Sequence, residues 1–177
     1  MQLIEILRNT VRAVPDFPKA GILFRDITPV LANPALSQEI SEALRAYFEN
    51  KGIEAIVGIE SRGFLFGFPL AMALGVPFVM VRKKGKLPTK TLSHSYLLEY
   101  GEAEIEIQVD AIAPGTRVLI HDDLLATGGT AKATAELIQR TGAEIAGFSF
   151  IIELEALRGR QKLEVVSDHI HCLLPYS

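Results

Sequence analysis

The chain has 177 residues, which corresponds to about one domain. Apolar residues make up 49% of it and charged residues 22%, a mixture that buries a core and excludes intrinsic disorder. The 18 basic and 21 acidic side chains give a net charge of −3, so we do not expect the strongly basic face of a duplex-DNA binder. Because Cys172 is the single cysteine, no internal disulfide is possible, and we expect a cytoplasmic protein without nucleic-acid or membrane partners.

The first half of the chain predicts helices followed by a βαβ unit. Asn33-Pro34 is a favourable helix start, and Gly52 a favourable stop. Apolar periodicity gives the other elements. In chain order, the predicted elements are an amphipathic helix over residues 1–12, a helix after residue 33, a buried strand over 53–59, a helix over 64–74 and a buried strand over 78–81.

The uncharged stretch 63–81 is near the minimum length for crossing a bilayer. Pro69, Gly75 and Pro77 interrupt it, which favours a buried helix followed by a buried strand. We therefore expect no membrane span here.

The second half repeats the pattern, with a strand predicted over 117–120, a helix over 130–140 and a strand over 145–154. Between the halves, residues 82–109 begin with four positive charges in five residues and continue as alternating segments around Gly101, which predict a mobile loop and an antiparallel hairpin. The whole pattern predicts one α/β domain over residues 1–177. It has an open central parallel sheet, helices on both faces and a protruding hairpin.

Ligands of open α/β sheets bind beyond the carboxyl ends of the strands, where the strand order reverses. The segments 60–63 and 122–129 each follow a predicted buried strand and precede a helix, so we expect them to flank one site. In the second segment, Gly128-Gly129 and two threonine hydroxyls stand at a helix start, which is typical of a phosphate cradle. The sequence contains neither a Walker A loop nor a dinucleotide fingerprint there.

The acid pair Asp122-Asp123 precedes this cradle by a few residues. Carboxylates would repel a phosphate, so they are expected to face another part of the ligand. Vicinal sugar hydroxyls or a magnesium ion would meet that need.

The run Asp122-Asp123-Leu124-Leu125-Ala126-Thr127-Gly128-Gly129-Thr130 resembles the phosphoribosyl-diphosphate (PRPP) signature of type I phosphoribosyltransferases. Its wording is similar to that of the adenine phosphoribosyltransferases. Three more stretches resemble the same family: 17–29 its base-binding segment, 60–64 its pyrophosphate loop, and 82–88 with 98–101 its mobile loop. The resemblance extends over residues 15–154, with 1–32 as N-terminal helix and base-binding segment.

The resemblance implies that adenine and PRPP react to AMP and pyrophosphate in a homodimeric enzyme. Magnesium would be held mainly through PRPP, with Asp122 or Asp123 contributing through water. The residues would be divided by ligand part: Asp122 and Asp123 for the ribose hydroxyls; Ala126, Thr127, Gly128, Gly129 and Thr130 for the 5′-phosphate; Ser61, Arg62, Arg82 and Lys86 for pyrophosphate; Leu23, Phe24, Arg25 and Leu154 for adenine. Glu99 would be the acid/base group, with Arg62, Arg82 and Lys86 also catalytic.

Two alternatives remain open at this point. One is a phosphoribosyltransferase for hypoxanthine, guanine or xanthine, against which segment 17–29 looks adenine-type. The other is a non-catalytic regulator that senses PRPP, although no basic domain precedes the transferase-like part. His121 departs from the family, which usually has an apolar residue before the acid pair.

Overall fold

The computed structural model describes residues 2–97 and 101–177, which form two compact units. Residues up to Ala46 form the first unit and Tyr47–Ser177 form the second. The elements of the first unit are α1 (Gln2–Thr10), β1 (Arg12–Pro15), β2 (Leu23–Asp26), α2 (Thr28–Leu31) and α3 (Pro34–Phe48), whose last two residues belong to the second unit. The predicted helices at the N-terminus and after Asn33 are confirmed, whereas the antiparallel β1–β2 pair had no clear sequence signal.

Asp26 holds the end of β2 in place. Its carboxylate accepts hydrogen bonds from the backbone N–H and the hydroxyl of Thr28, and it forms an ion pair of 2.7 Å with Arg12 on β1. The Thr28 hydrogen bonds and the Arg12 guanidinium lower the pKa of Asp26 to about 2. The residues of β2 that are predicted to contact adenine thus lie on a short two-stranded ribbon, which the contacts of Asp26 stabilise.

The elements of the second unit are, in chain order, β3 (Ala55–Ile59), α4 (Gly63–Leu74), β4 (Phe78–Lys83), β5 (Thr91–Leu97), β6 (Glu102–Gln108), β7 (Arg117–Leu125), α5 (Gly129–Gln139), β8 (Glu144–Leu154), α6 (Gly159–Leu163) and β9 (Ile170–Tyr176). The strands form one sheet in the order β5-β6-β4-β3-β7-β8-β9. The five neighbouring strands β4, β3, β7, β8 and β9 are parallel to one another. Strand β6 is antiparallel to both of its neighbours, β4 and β5. This confirms the predicted α/β fold with its antiparallel hairpin.

Helices cover both faces of the parallel strands. Val57 of β3 is in register with Ile120 of β7, and both belong to the buried cluster that includes the apolar side of α5. The next pair, Gly58 and His121, points to the opposite face, because successive side chains of a strand alternate. There Gly67 of α4 lies against the His121 ring.

Strand β3 lies between β4, which follows it along the chain, and β7, which begins the second half. The strand order therefore reverses between β3 and β7. This is the place where open α/β sheets bind ligands, and the expected adjacency of the two halves is confirmed.

Several strands extend further than their apolar runs predicted. β7 continues through Asp122 and Asp123 to Leu125, because its neighbour β8 pairs with it along this length. β4 includes Arg82 and Lys83, which pair with β6. β5 begins at Thr91, within the segment 82–109 that was predicted to form a mobile loop and a hairpin.

In the described parts of the chain, residues 2–97 and 101–177, none of the helices has the length and apolar character needed to cross a membrane.

Candidate active site

A cleft of about 250 Å³ opens at the carboxyl ends of β3 and β7. It is lined by Glu60, Ser61, Arg62, Lys83, Asp122 and Asp123. An adjoining cavity of about 150 Å³ has among its lining residues Glu60, Arg82, Lys83, Tyr96, Asp122 and Thr130. Residues from both predicted loops and from the basic run therefore meet at one edge of the sheet.

The acid pair lies at the end of β7 and is largely withdrawn from water. Asp123 is 2% exposed, and its Oδ2 is 3.0 Å from Arg62 Nε. Asp122 is half-buried, and its Oδ1 accepts a hydrogen bond from the Asp123 backbone N–H. Burial, together with repulsion from Asp123, raises the pKa of Asp122 well above its usual value. Burial also raises the pKa of Asp123, although Arg62 opposes this.

Arg62 reaches Asp123 because helix α4 begins close against β7. A Cβ added to Gly63 would lie 2.6 Å from the backbone oxygen of His121, so only glycine allows this approach without displacement. Arg62 is the N-cap residue of the helix. The peptide bond between Glu60 and Ser61 is cis. The predicted segment 60–63 is thus a short connection that places a guanidinium beside the acid pair.

The predicted phosphate cradle is the N-terminus of α5. Gly128 is the N-cap residue with a φ of 74°, and a Cβ there would be 2.6 Å from the backbone oxygen of Gly159. Both observations require glycine. Lys132 N donates to Gly128 O over 2.9 Å as the first helical hydrogen bond, so the N–H groups of residues 129–131 point out of the helix end. These groups and the helix dipole favour an anion.

The start of the basic run 82–86 is held by the carboxylate of Glu60. Arg82 forms an ion pair of 3.2 Å with Glu60 and donates to the backbone oxygen of Lys86. The backbone N–H of Lys83 donates to the same Glu60 carboxylate. Despite the opposing effect of burial, these hydrogen bonds lower the pKa of Glu60. Lys86 is exposed and is not among the residues that line the cleft or the adjoining cavity.

The hairpin is fastened to α5 beside the cradle. Tyr96 donates its hydroxyl hydrogen bond to Thr130 Oγ1 over 3.1 Å. Further along, His94 Nε2 is 2.9 Å from the Glu136 carboxylate. Tyr96 was not among the residues predicted for the site. Its place on an alternating strand before Glu99 was the available signal.

Three more residues of this region had no individual role in the predicted site. Glu60 and Lys83 line both cavities, and Glu106 is a buried carboxylate on β6. For Glu60, the sequence signal was an acidic residue directly after the apolar strand predicted over 53–59. Glu106, by contrast, stands at the polar phase of an alternating strand, which ordinarily predicts exposure.

The remaining predicted residues lie as follows. Leu23, Phe24 and Arg25 are on β2 of the first unit, where the Phe24 ring meets the Phe17 ring edge-on at 5.1 Å. Leu154 ends β8 in the second unit. Glu99 lies outside the described residues. The roles assigned to these five residues stay predictions.

His121, which directly precedes the acid pair on β7, packs inside the protein. The side chain is fully buried, with Nδ1 3.1 Å from Ser149 Oγ of β8. Burial lowers the pKa of His121 to about 3, so the ring is neutral at physiological pH. The departure from the family's apolar residue is thus accommodated in the packing between β7 and α4.

Comparisons with known proteins agree with this geometry. The model of the phosphoribosyl transferase domain family matches residues 26–173. The chain is 50% identical to adenine phosphoribosyltransferase of Klebsiella pneumoniae over 175 residues, which is 99% of this chain and 96% of that one.

Solved structures agree as well. One of adenine phosphoribosyltransferase from Rhodothermus marinus has a TM-score of 0.90 at 51% identity and covers 99% of both chains. One from Saccharomyces cerevisiae, in complex with an imino-altritol bisphosphate and adenine, has a TM-score of 0.92 at 43% identity and covers 98% of this chain and 99% of that one. The chain therefore belongs to the phosphoribosyl transferase family, and within it to the adenine phosphoribosyltransferases.

Proposed function

We propose that the protein transfers the phosphoribosyl group of PRPP to adenine, giving AMP and pyrophosphate in purine salvage. The observation that carries the proposal is the convergence of an acid pair, a helix N-terminus and several cations on the cleft and the cavity that adjoins it. These are the groups that the ribose, the 5′-phosphate and the pyrophosphate of PRPP require. The homologue from Trypanosoma brucei, 26% identical, was solved with AMP, pyrophosphate and ribose 5-phosphate.

Pyrophosphate is the leaving group. The bond between ribose C1′ and its pyrophosphate oxygen breaks, and the electron pair leaves with that oxygen. Arg62, Arg82 and Lys83 line the adjoining cavities, and their fixed positive charges oppose the negative charge that develops there. Lys86 remains a candidate from the family resemblance, reaching the ligand from its exposed position.

The ribose is left with oxocarbenium-like positive charge as pyrophosphate departs. Asp122 and Asp123 bind the 2′- and 3′-hydroxyls in this proposal, and their carboxylates are favourably placed for a ring that becomes positive. Ala126 to Thr130 bind the 5′-phosphate at the N-terminus of α5. Fixing the sugar at both ends orients C1′ toward the incoming base.

Magnesium fits this site as a ligand-borne cofactor. In the described residues, no cluster of three or more metal-ligating side chains comes together. Mg²⁺ usually keeps several waters and is held by one or two carboxylates with substrate phosphates, and Asp122 and Asp123 offer this donor set. When bound, the ion supplies positive charge that offsets the charge of pyrophosphate.

Adenine attacks C1′ through a ring nitrogen, which forms the new bond and loses its proton. In the proposal, Glu99 accepts this proton as general base, and a closed hairpin excludes water that would otherwise capture the ribosyl cation. Leu23, Phe24, Arg25 and Leu154 are the proposed adenine contacts.

The single cysteine, Cys172, supports a cytoplasmic location, because the fold needs no oxidising compartment.

A homodimer is also proposed, with helix α4 at its interface. Leu65, Phe68 and Met72 are 42%, 53% and 67% exposed, and their spacing places them on one face of the helix. Exposed apolar side chains on one face of a helix are typical of a protein–protein contact. A second copy of the chain is the occupant that the family resemblance implies.

The experiment is incubation with Mg²⁺, PRPP and each purine base in turn, with chromatographic detection of the nucleotide. We expect AMP from adenine and slower turnover of 6-oxopurines by roughly 10⁴-fold, because a site that pairs with the amino group leaves polar groups unpaired when the pattern inverts. Equal turnover of hypoxanthine would establish the first alternative. PRPP binding without nucleotide formation from any base would establish the regulator.

A further inference from the structure

A carboxylate is buried directly beneath the basic turn, defined here as residues 83–87. Glu106 of β6 is 4% exposed, although its position in an alternating strand predicts a solvent-facing side chain. Buried carboxylates are rare unless hydrogen bonds compensate for the loss of water. The partners of Glu106 therefore indicate what it does.

Both oxygens of the Glu106 carboxylate accept hydrogen bonds from the basic turn or from Thr91, which follows it. Oε1 accepts hydrogen bonds from the backbone N–H groups of Lys86 and Leu87, over 2.9 and 2.8 Å. Oε2 accepts from the Thr91 hydroxyl over 3.1 Å. Despite the opposing effect of burial, these hydrogen bonds lower the pKa of Glu106, so the group is ionised at neutral pH. With both oxygens occupied, Glu106 acts on the protein rather than on a ligand.

The turn held by Glu106 is connected to the cleft through Arg82. The backbone oxygen of Lys86 accepts a hydrogen bond from Arg82 Nη1, and Glu60 binds the same guanidinium from the other side. Arg82 lines the cavity of about 150 Å³ together with Thr130. Glu106 thus fixes the backbone of the turn, and the turn fixes a cation of the cleft.

Glu104 provides the contrast on the same strand. It forms an ion pair of 2.7 Å with Lys84 Nζ of the same turn, but its side chain is 27% exposed. Exposed ion pairs of this kind contribute little to structure, whereas buried charged hydrogen bonds contribute more. The two glutamates carry equal charge, lie two residues apart and contact the same turn.

We propose that Glu106 is a positioning residue for the leaving group: it holds the basic turn in the shape that binds pyrophosphate. This inference rests on the proposed function, because it assigns pyrophosphate to the cations beside the turn. It predicts that loss of Glu106 weakens the binding of pyrophosphate-bearing ligands and spares AMP, which has no such group. A purely electrostatic effect would have the opposite sign, since removing a negative charge beside cations tightens anion binding.

The test compares the full-length wild type with Glu106→Ala, Glu106→Gln and Glu104→Ala. Titration calorimetry measures dissociation constants for magnesium pyrophosphate and for AMP, and steady-state kinetics measures KM for PRPP and for adenine. We expect Glu106→Ala to weaken pyrophosphate binding and raise the PRPP KM by on the order of 10- to 100-fold. AMP affinity and the adenine KM should change less than about twofold.

Glu106→Gln retains one acceptor oxygen and should lie between wild type and Glu106→Ala, which keeps the test informative if the alanine variant does not fold. Glu104→Ala should stay within about twofold of wild type for every ligand. Unchanged or tighter pyrophosphate binding in a folded Glu106 variant, or an equal loss of pyrophosphate and AMP, would overturn the inference. A wild type that neither binds pyrophosphate nor forms AMP would instead overturn the proposed function.

Discussion

Asp122 and Asp123 place two carboxyl groups where burial disfavours their ionisation. Because the pKa of each is raised in the folded protein, the folded state holds protons that the unfolded state releases. The contribution of the pair to the free energy of unfolding therefore decreases as the pH rises from about 3.8 through the raised pKa values. A site tuned for ribose hydroxyls is in this way destabilising when no substrate is bound.

Asp122→Asn removes one of these charges and keeps the shape of the side chain. We expect a higher melting temperature for the ligand-free variant than for wild type at pH 8, and a smaller difference at pH 5. We also expect PRPP binding to weaken by on the order of 10-fold, because the amide oxygen still accepts a hydrogen bond from the ribose hydroxyl but no longer carries the negative charge. Thermal melts and PRPP titrations check both, and unchanged PRPP affinity would show that the acid pair is only structural.

His121 contributes a pH dependence of opposite sign. Its pKa is about 3 in the folded protein and about 6.5 in an unfolded chain, so only the unfolded state takes up a proton between these values. The contribution of His121 to the free energy of unfolding is fully present above pH 6.5. It decreases as the pH falls toward 3, by about 2 kcal/mol at pH 5. The double variant His121→Leu with Ser149→Ala removes the buried pair together.

Urea unfolding of this double variant at pH 5 and 7.5 should show a smaller loss of stability at the lower pH than wild type shows. The comparison of variants cancels the contribution of the acid pair, which both proteins share. His169→Gln is the matched control, because the His169 side chain is 80% exposed. A double variant with the wild-type pH dependence would contradict the assignment of a neutral, buried His121.

At the scale of elements, strand β5 and helix α5 meet through Tyr96 and Thr130. Thr130 Oγ1 accepts the Tyr96 hydrogen bond, which leaves the threonine hydroxyl proton available for a phosphate oxygen. In a double-mutant cycle, Tyr96→Phe should weaken ribose 5-phosphate binding by about 3- to 10-fold in wild type and hardly at all in Thr130→Ala. His94→Gln, which alters the contact with Glu136 further along α5, is the control. Equal effects of Tyr96→Phe in both backgrounds would show that the two hydroxyls act independently.

Apolar periodicity predicted the existence and type of the central elements but not their ends. The strand predicted over 117–120 continues to Leu125 because β8 offers a ladder of partners, and backbone pairing does not depend on side-chain polarity. For the same reason Asp122 and Asp123 belong to a strand rather than to a loop. The pair β1–β2 is stabilised by contacts such as Arg12 with Asp26, which residues 14 apart in sequence do not reveal.

At the scale of the whole chain, the predicted topology located the site better than any single residue did. The expectation that the strands before 60–63 and 122–129 are neighbours is confirmed by the β3–β7 pairing. Glu106 and Glu60 could not be predicted as organisers of the basic turn, because their partners are backbone N–H groups of a distant segment. Such contacts follow from tertiary structure and leave no local pattern.

The exposed apolar face of α4 makes the assembly of whole molecules testable. We expect light scattering behind gel filtration to give the mass of two chains for wild type, and close to one chain for Phe68→Glu. Phe68 is 53% exposed, so the substitution costs the isolated chain mainly the edge-on contact with the Phe78 ring, while a charge buried between two copies has no partner. Val165→Glu is the matched control, because Val165 is 76% exposed and lies away from α4 in the sequence. A monomeric wild type would exclude the homodimer, and a dimeric Phe68→Glu with the wild-type dissociation constant would place the interface elsewhere.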